Sequence, residues 1–366
     1  MSKILMILKT QNLRNDQRVL KEMKSLTDEG ANVNVFVSKN CDTTEEELGY
    51  PMKEINIIGG AAPKNTLIRM IGVVVFYIKC MFYLAFRRKK FDKVWICDPI
   101  MFGLVLLIKL FFPKIKVIWD HHELPPDWFS NSKILMFAFK FAYRKSDVVI
   151  HCNNARKNYL ESKIKFNHFD SFIINNVPQY VEIEEEELVI EAEKWLKQNS
   201  GKIVYLQNSL QDDRNGSPAI KAILSHGYKI FHAGTYSEKY LREHKINVED
   251  LFLGGYLTYK QINRILNHSI FTVVLYKMNS TNQIYCDPNR LYQAINLGVP
   301  VIVGNNPSMV EILSVYDNKV ILADDGSNQY GIEEAITLVM NKKSKNKRFP
   351  MSWKQFDSIF KKIVAK

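Results

Sequence analysis

Two stretches of this sequence place groups able to do chemistry at defined spacing. Asp120-His121-His122-Glu123 follows the apolar run Val117-Ile118-Trp119. A histidine delivered at the C-terminal end of a strand can hydrogen-bond a hydroxyl of a bound ligand, so Asp120, His122 and Glu123 are the catalytic candidates. The plain alternative is a histidine that only satisfies a loop carbonyl. Neighbouring strand residues point to opposite faces, so His121 and His122 diverge, and a compact metal site would need distant ligands that the sequence does not show. The second stretch is residues 285–311. Asp287-Pro288-Asn289 reads as a turn that opens a helix, with Leu291, Ala294, Ile295 and Leu297 on its apolar side and Gly298 at its end. A polar helix N-terminus offers N–H groups and partial positive charge to a phosphate, and Arg290 in the first turn adds a full charge. Tyr285 could stack on a bound group. An ordinary helix–strand unit with nothing bound fits the same residues.

The elements that must position these groups form two successive series. Residues 4–8 read as a first strand, followed by a polar loop holding Asn12 and Arg14 and a helix that ends at Gly30. Open α/β sheets bind ligands at the C-terminal ends of their strands, where that loop lies. Strands are expected at 33–37, 93–97, 116–119, 148–150 and 172–174, with a helix at 102–112. Residues 203–206 then start a second series, with strands near 229–234, 270–276 and 299–303 and a helix at 259–266. Ser308-x-x-Glu311 reads as a capping box. Strands alternating with helices twice over predict an α/β protein with two Rossmann-like domains facing across a cleft. The expected division is residues 1–180, a linker at 181–200 with an acidic run, 201–342, and a terminal segment at 343–366.

Pro288-Asn289-Arg290-Leu291-Tyr292-Gln293-Ala294-Ile295-Asn296-Leu297-Gly298-Val299-Pro300-Val301-Ile302 resembles the P-S-K-L-x-E-x-x-A-x-G-x-P-V-I signature of family 4 glycosyltransferases. The spacing of Asp16, Arg18, Val19, Lys21, Glu22, Leu26, Gly30 and Val33, the D-x-H-E pattern ending at Glu123, and Asn175-Asn176-Val177-Pro178 are similar to the family's other landmarks. That resemblance implies the GT-B fold, with a C-terminal helix crossing back to the first domain. It also implies retaining transfer of a sugar from a nucleotide-sugar donor to a glycan or lipid-linked acceptor, in surface polysaccharide synthesis and without a bound metal or other cofactor. The donor would be held by Asn208, Arg214, Asn289, Arg290, Gln293 and Tyr285, and the acceptor by Asn12 and Arg14 near His122. Gln293 stands where the family carries a glutamate for the donor ribose, and Tyr285 where many members carry a second acid. An amide in place of the carboxylate weakens that bond by about 1–2 kcal/mol. These departures support a second reading: a catalytically silent GT-B-like module that binds a glycan or assembles a biosynthetic complex.

Composition narrows the partners. The 366 residues are 46% hydrophobic and 24% charged, enough for two sizeable cores, and the net charge of +12 asks for an anionic partner. Five scattered cysteines without a C-x-x-C pair fit a reducing cytoplasm. Residues 67–86 are long and apolar enough to span a bilayer, but Arg69 and Lys79 interrupt them and Arg87-Arg88-Lys89-Lys90 follows. The expectation is a helix mostly packed in its domain with a basic end near an anionic membrane surface, on a cytoplasmic protein peripheral at the inner face. No base-reading motif accompanies the basic residues, so nucleic acid is not expected.

Overall fold

The computed structural model describes the chain except residues 11–12, 15, 39–41, 59–65, 180–183, 208–209, 211–213 and 343–347. The chain forms two compact units, residues 1–175 with 354–366, and residues 176–353.

The first unit is built on seven strands: β1 Lys3–Leu8, β2 Asn32–Ser38, β3 Met52–Ile55, β4 Lys93–Cys97, β5 Lys116–His121, β6 Val148–His151 and β7 Ser171–Ile173. Their order is β3-β2-β1-β4-β5-β6-β7, all parallel. Parallel strands covered on both faces should be apolar, and β1 (KILMIL) and β4 (KVWIC) are so after their first lysine. The helix Gln17–Asp28 starts at Asp16, whose carboxylate accepts from the Val19 N–H. Its buried face carries Arg18 and Glu22 as well as Val19, Met23 and Leu26. The C-terminal helix Asp357–Ala365 closes this unit: Phe360 lies parallel to Trp95 of β4, and the Lys93 ammonium donates to the Ile363 carbonyl at 2.8 Å.

The second unit repeats the pattern with six parallel strands: β8 Ile203–Gln207, β9 Lys229–Ala233, β10 Leu251–Leu253, β11 Ser269–Val274, β12 Val301–Val303 and β13 Lys319–Ile321. Their order is β10-β9-β8-β11-β12-β13. In each sheet the first strand of the series is internal and the order reverses beside it, the position at which open α/β sheets take ligands.

Several local expectations shift. Residues 176–200, expected to contain the linker, belong to the second unit and include the helix Ile190–Gln198. The helix after β12 begins at Pro307 with Asn306 as its N-cap. Ser308 is therefore inside the helix and the expected capping box is not the start signal. Pro307 pre-sets the backbone angle of the first helical position instead. The long apolar helix spans Thr66–Arg87 and packs one stripe only; Ile71, Val74, Ile78, Phe82 and Phe86 are exposed, where mostly packed residues were expected.

Candidate functional site

At the C-terminal edge of the first sheet, β5 delivers Asp120 and its continuation delivers His122. Strand alternation sends them to the same side, and His121 to the other. His121 is buried against Trp119, Phe139, Tyr143 and His151. Burial pulls its pKa down to about 3, so it is a neutral packing residue. His122 Nε2 lies 2.9 Å from Asp120 Oδ2 and 3.7 Å from Glu22 Oε2. Burial opposes its charge, but the Asp120 carboxylate and Cys97 outweigh that and hold its pKa well above the ordinary imidazole value. Nε2 therefore carries a proton and donates to Asp120.

Arg18 supplies the second cation. It pairs with Glu22 at 2.9 Å and Asp120 at 3.0 Å, and donates to the Ile174 carbonyl at 2.6 Å. Asp120 is fully buried; burial raises its pKa, but Arg18 and His122 overcome that and keep it ionised well below the usual carboxylate range. Arg18, Glu22, Asp120 and His122 thus form one buried network in which Asp120 is the ionised carboxylate, and Asp120 and Glu22 together fix the imidazole of His122. The Cys152 thiol and the Arg156 guanidinium donate to the His122 carbonyl. Glu123 is exposed beyond the strand end. Glu22, Cys97, Asp120 and His122 bring their ligand atoms within 4.8 Å of one another, a donor set that a divalent ion could use. Arg18 already sets a positive charge against both carboxylates, so an ion there would have to overcome its repulsion.

The adjoining Asp98, after β4, has φ of +79°, a region that side chains rarely adopt. Its N–H donates to the Asp120 carbonyl, and its own carbonyl accepts from the Trp119 indole. Burial lifts its carboxyl to about 6. Arg14 pairs at the surface with Glu47, which is locked in a capping box with Thr44. Asn12 lies outside the described residues.

The second unit holds a cavity of about 490 Å³, lined by Asn176, Arg214, Gly234, Thr235, Tyr256, Tyr276, Asp287, Asn289 and Arg290 among others. Both arginines lean on one ring: the guanidinium carbon of Arg214 is 3.9 Å, and that of Arg290 4.9 Å, from the Tyr276 centroid. The nine-residue helix Asn289–Leu297 starts at the cavity, and its N-cap, Pro288, makes no side-chain cap. Arg290 Nε and Asn176 Oδ1 are buried polar atoms without a hydrogen-bond partner among the described residues. A concave wall with two cations, a helix N-terminus and unsatisfied polar atoms suits a polar anion.

Of the expected donor group, Arg214, Asn289 and Arg290 meet at this cavity. Gln293 lies one turn behind it, 3% exposed, its amide donating to the Tyr259 carbonyl at 3.0 Å and to Asn263 Oδ1 at 2.8 Å. Tyr285 caps the short helix Thr281–Ile284 away from the cavity lining. Asn208 lies outside the described residues. Sequence reasoning missed Tyr276, although a tyrosine just past the end of β11 sits where ligands bind. It also missed Glu22, which helical spacing from Arg18 could have paired with it.

No protein-family model and no curated protein matches the sequence. Solved structures do match. Sucrose-phosphate synthase from Thermosynechococcus elongatus has a TM-score of 0.74 at 12% identity, over 100% of this chain and 98% of that one. HepE from Anabaena in complex with UDP has a TM-score of 0.70 at 10% identity, over 100% of both chains. UDP-GlcNAc 2-epimerase from Methanocaldococcus jannaschii has a TM-score of 0.62 at 12% identity, again over 100% of both. The chain therefore has the α/β GT-B fold expected from its sequence. Identities this low carry the fold and leave the chemistry to the site.

Proposed function

We propose that this chain is a glycosyltransferase that takes a nucleoside-diphosphate sugar in the cavity of its second unit. The observation that carries the reading is the pairing of Arg214 and Arg290 on Tyr276, beside the uncapped start of the helix Asn289–Leu297. A diphosphate satisfies two guanidinium groups and a helix N-terminus together. The UDP bound to HepE, which shares the fold, supports uridine as the base. As the bond from the anomeric carbon to the diphosphate breaks, negative charge grows on the leaving oxygen, and the two arginines stabilise it. In this reading the departing diphosphate accepts the proton of the acceptor hydroxyl, and transfer proceeds with retention. The acceptor, a glycan or lipid-linked sugar of a surface polysaccharide, is taken by the first unit. There the acceptor lies beside His122, and Asp120 and Glu22 are the positioning residues of its imidazole.

The silent-module reading draws on one observation: Gln293 spends its amide protons inside the unit. The purified protein tested against UDP-, GDP-, ADP-, CMP- and dTDP-sugars separates the two. Binding with slow hydrolysis of a UDP-sugar supports transfer. Binding without cleavage supports the module, and binding of none removes the donor site.

A further inference from the structure

The helix Thr66–Arg87 has two unlike sides. Phe76, Cys80 and Leu84 are buried in the first unit, while Ile71, Val74, Ile78, Phe82 and Phe86 recur at three- and four-residue spacing and face outward. Phe82 is 61% and Phe86 86% exposed. The helix Phe102–Phe111 packs beside it, and the helix Lys133–Lys145 packs beside that one. The third helix exposes Ile134, Phe137 and Phe141 at the same spacing. Large apolar side chains from neighbouring helices are thus turned to the outside of one unit, more than scattered surface residues account for. Cations accompany them: Arg87, Arg88, Lys89 and Lys90 at the end of the first helix, and Arg144 and Lys145 at the end of the third, all exposed.

Length and composition alone would let residues 70–90 cross a bilayer. The packing ties them to the unit instead. The Tyr77 hydroxyl donates to the Ile100 carbonyl at 2.8 Å, and the Lys79 ammonium to the Asn56 carbonyl at 2.6 Å. Gly72 lies so close to the Ile58 backbone that a Cβ would stand 2.8 Å from its oxygen. A spanning helix would give up all three contacts and carry Lys79 into hydrocarbon.

We infer that this face rests on an anionic lipid bilayer, with the phenylalanines at the acyl boundary and the cations among the lipid phosphates. Charge selects this occupant: a second copy would bring like basic clusters together, whereas an anionic surface neutralises them. The inference does not depend on the donor site.

Co-sedimentation of the full chain with vesicles tests it. The vesicles are phosphatidylcholine alone, or phosphatidylcholine with about one third phosphatidylglycerol, at low and high salt. The anionic vesicles should retain the protein and release it as salt rises. Exchanging Arg87, Arg88, Lys89 and Lys90 for glutamine should weaken retention by about 100-fold or more, at roughly 5-fold per charge. The pair F82D and F86D should weaken it by at least about 10-fold, and because both side chains are exposed the thermal midpoint should hold. No retention on anionic vesicles at low salt, or equal retention on neutral ones, overturns the inference. So does a lipid-free dimer that the phenylalanine substitutions break, which would make the face a contact between copies.

Discussion

At the residue scale, two arginines lean on one tyrosine ring at the wall of the cavity, where one anion could pair with both. R290A and R214A should each weaken UDP binding about 10–100-fold, the loss of a charge-assisted hydrogen bond of about 1.5–3 kcal/mol. Calorimetric titration with UDP checks this, and a variant with unchanged affinity does not touch the ligand. Arg290 was legible because it sits in a recognisable helix start. The place of Gln293 was not, since its amide is consumed by a helix 30 residues earlier in the chain. In the first unit Asp120-x-His122 was legible through strand alternation, but the network around it was not: Arg18 reaches Asp120 across 102 residues. That network has a pH signature. Burial and the charge of Asp120 lift the Glu22 carboxyl from 4.5 to about 8, against the pull of Arg18. The native chain then holds that proton more tightly than the unfolded one, so the stabilisation is complete below about 4.5 and is lost as pH rises through about 8. His122, raised as well, acts with the same sign. Asp120, lowered from 3.8, acts oppositely, but only in acid below that value. The buried neutral histidines His121 and His151, lowered from 6.5, also act oppositely below that value. Thermal midpoints should therefore fall between about pH 6.5 and pH 8, and E22Q should flatten the slope. A slope unchanged in E22Q would assign it to other groups.

At the element scale, the apolar run at 67–86 announced a helix by composition, but not which of its sides is covered. Apolar residues lie all round it, so periodicity alone cannot separate the packed stripe from the open one. What separates them is close approach to neighbours distant in sequence. Gly103, in the first turn of the helix Phe102–Phe111, is one such point: a Cβ there would stand 2.7 Å from the Tyr77 ring. That ring is held by its hydroxyl bond to Ile100. G103A should cost about 1–3 kcal/mol by overpacking, lowering the thermal midpoint by about 2–4 °C per kcal/mol. An unchanged midpoint would show that Tyr77 swings aside freely and does not fix this helix to the unit.

At the scale of the whole molecule, the alternation of strands and helices twice over was enough to read two Rossmann-like units. The order of strands within each sheet was not, because it depends on which crossovers pass beside β1 and β8 rather than on any local pattern. The chain's return was legible only through resemblance: residues 354–366 belong to the first unit although the whole second unit precedes them. Physically, that return is an aromatic lid on β4, Phe360 lying parallel to Trp95 with centroids 6.2 Å apart and both side chains fully buried. Truncating it should leave a cavity under the helix Asp357–Ala365 and cost about 3–5 kcal/mol. Because the loss is local to one core, its effect should follow space and not sequence. In F360A, amide hydrogen exchange should quicken in β1, β4 and β5, some 240 residues or more away along the chain, and stay as it was in β8 to β13. Exchange that quickens evenly in both sheets, or first in β13, the strand nearest in sequence, would show that the terminal helix serves the second core instead.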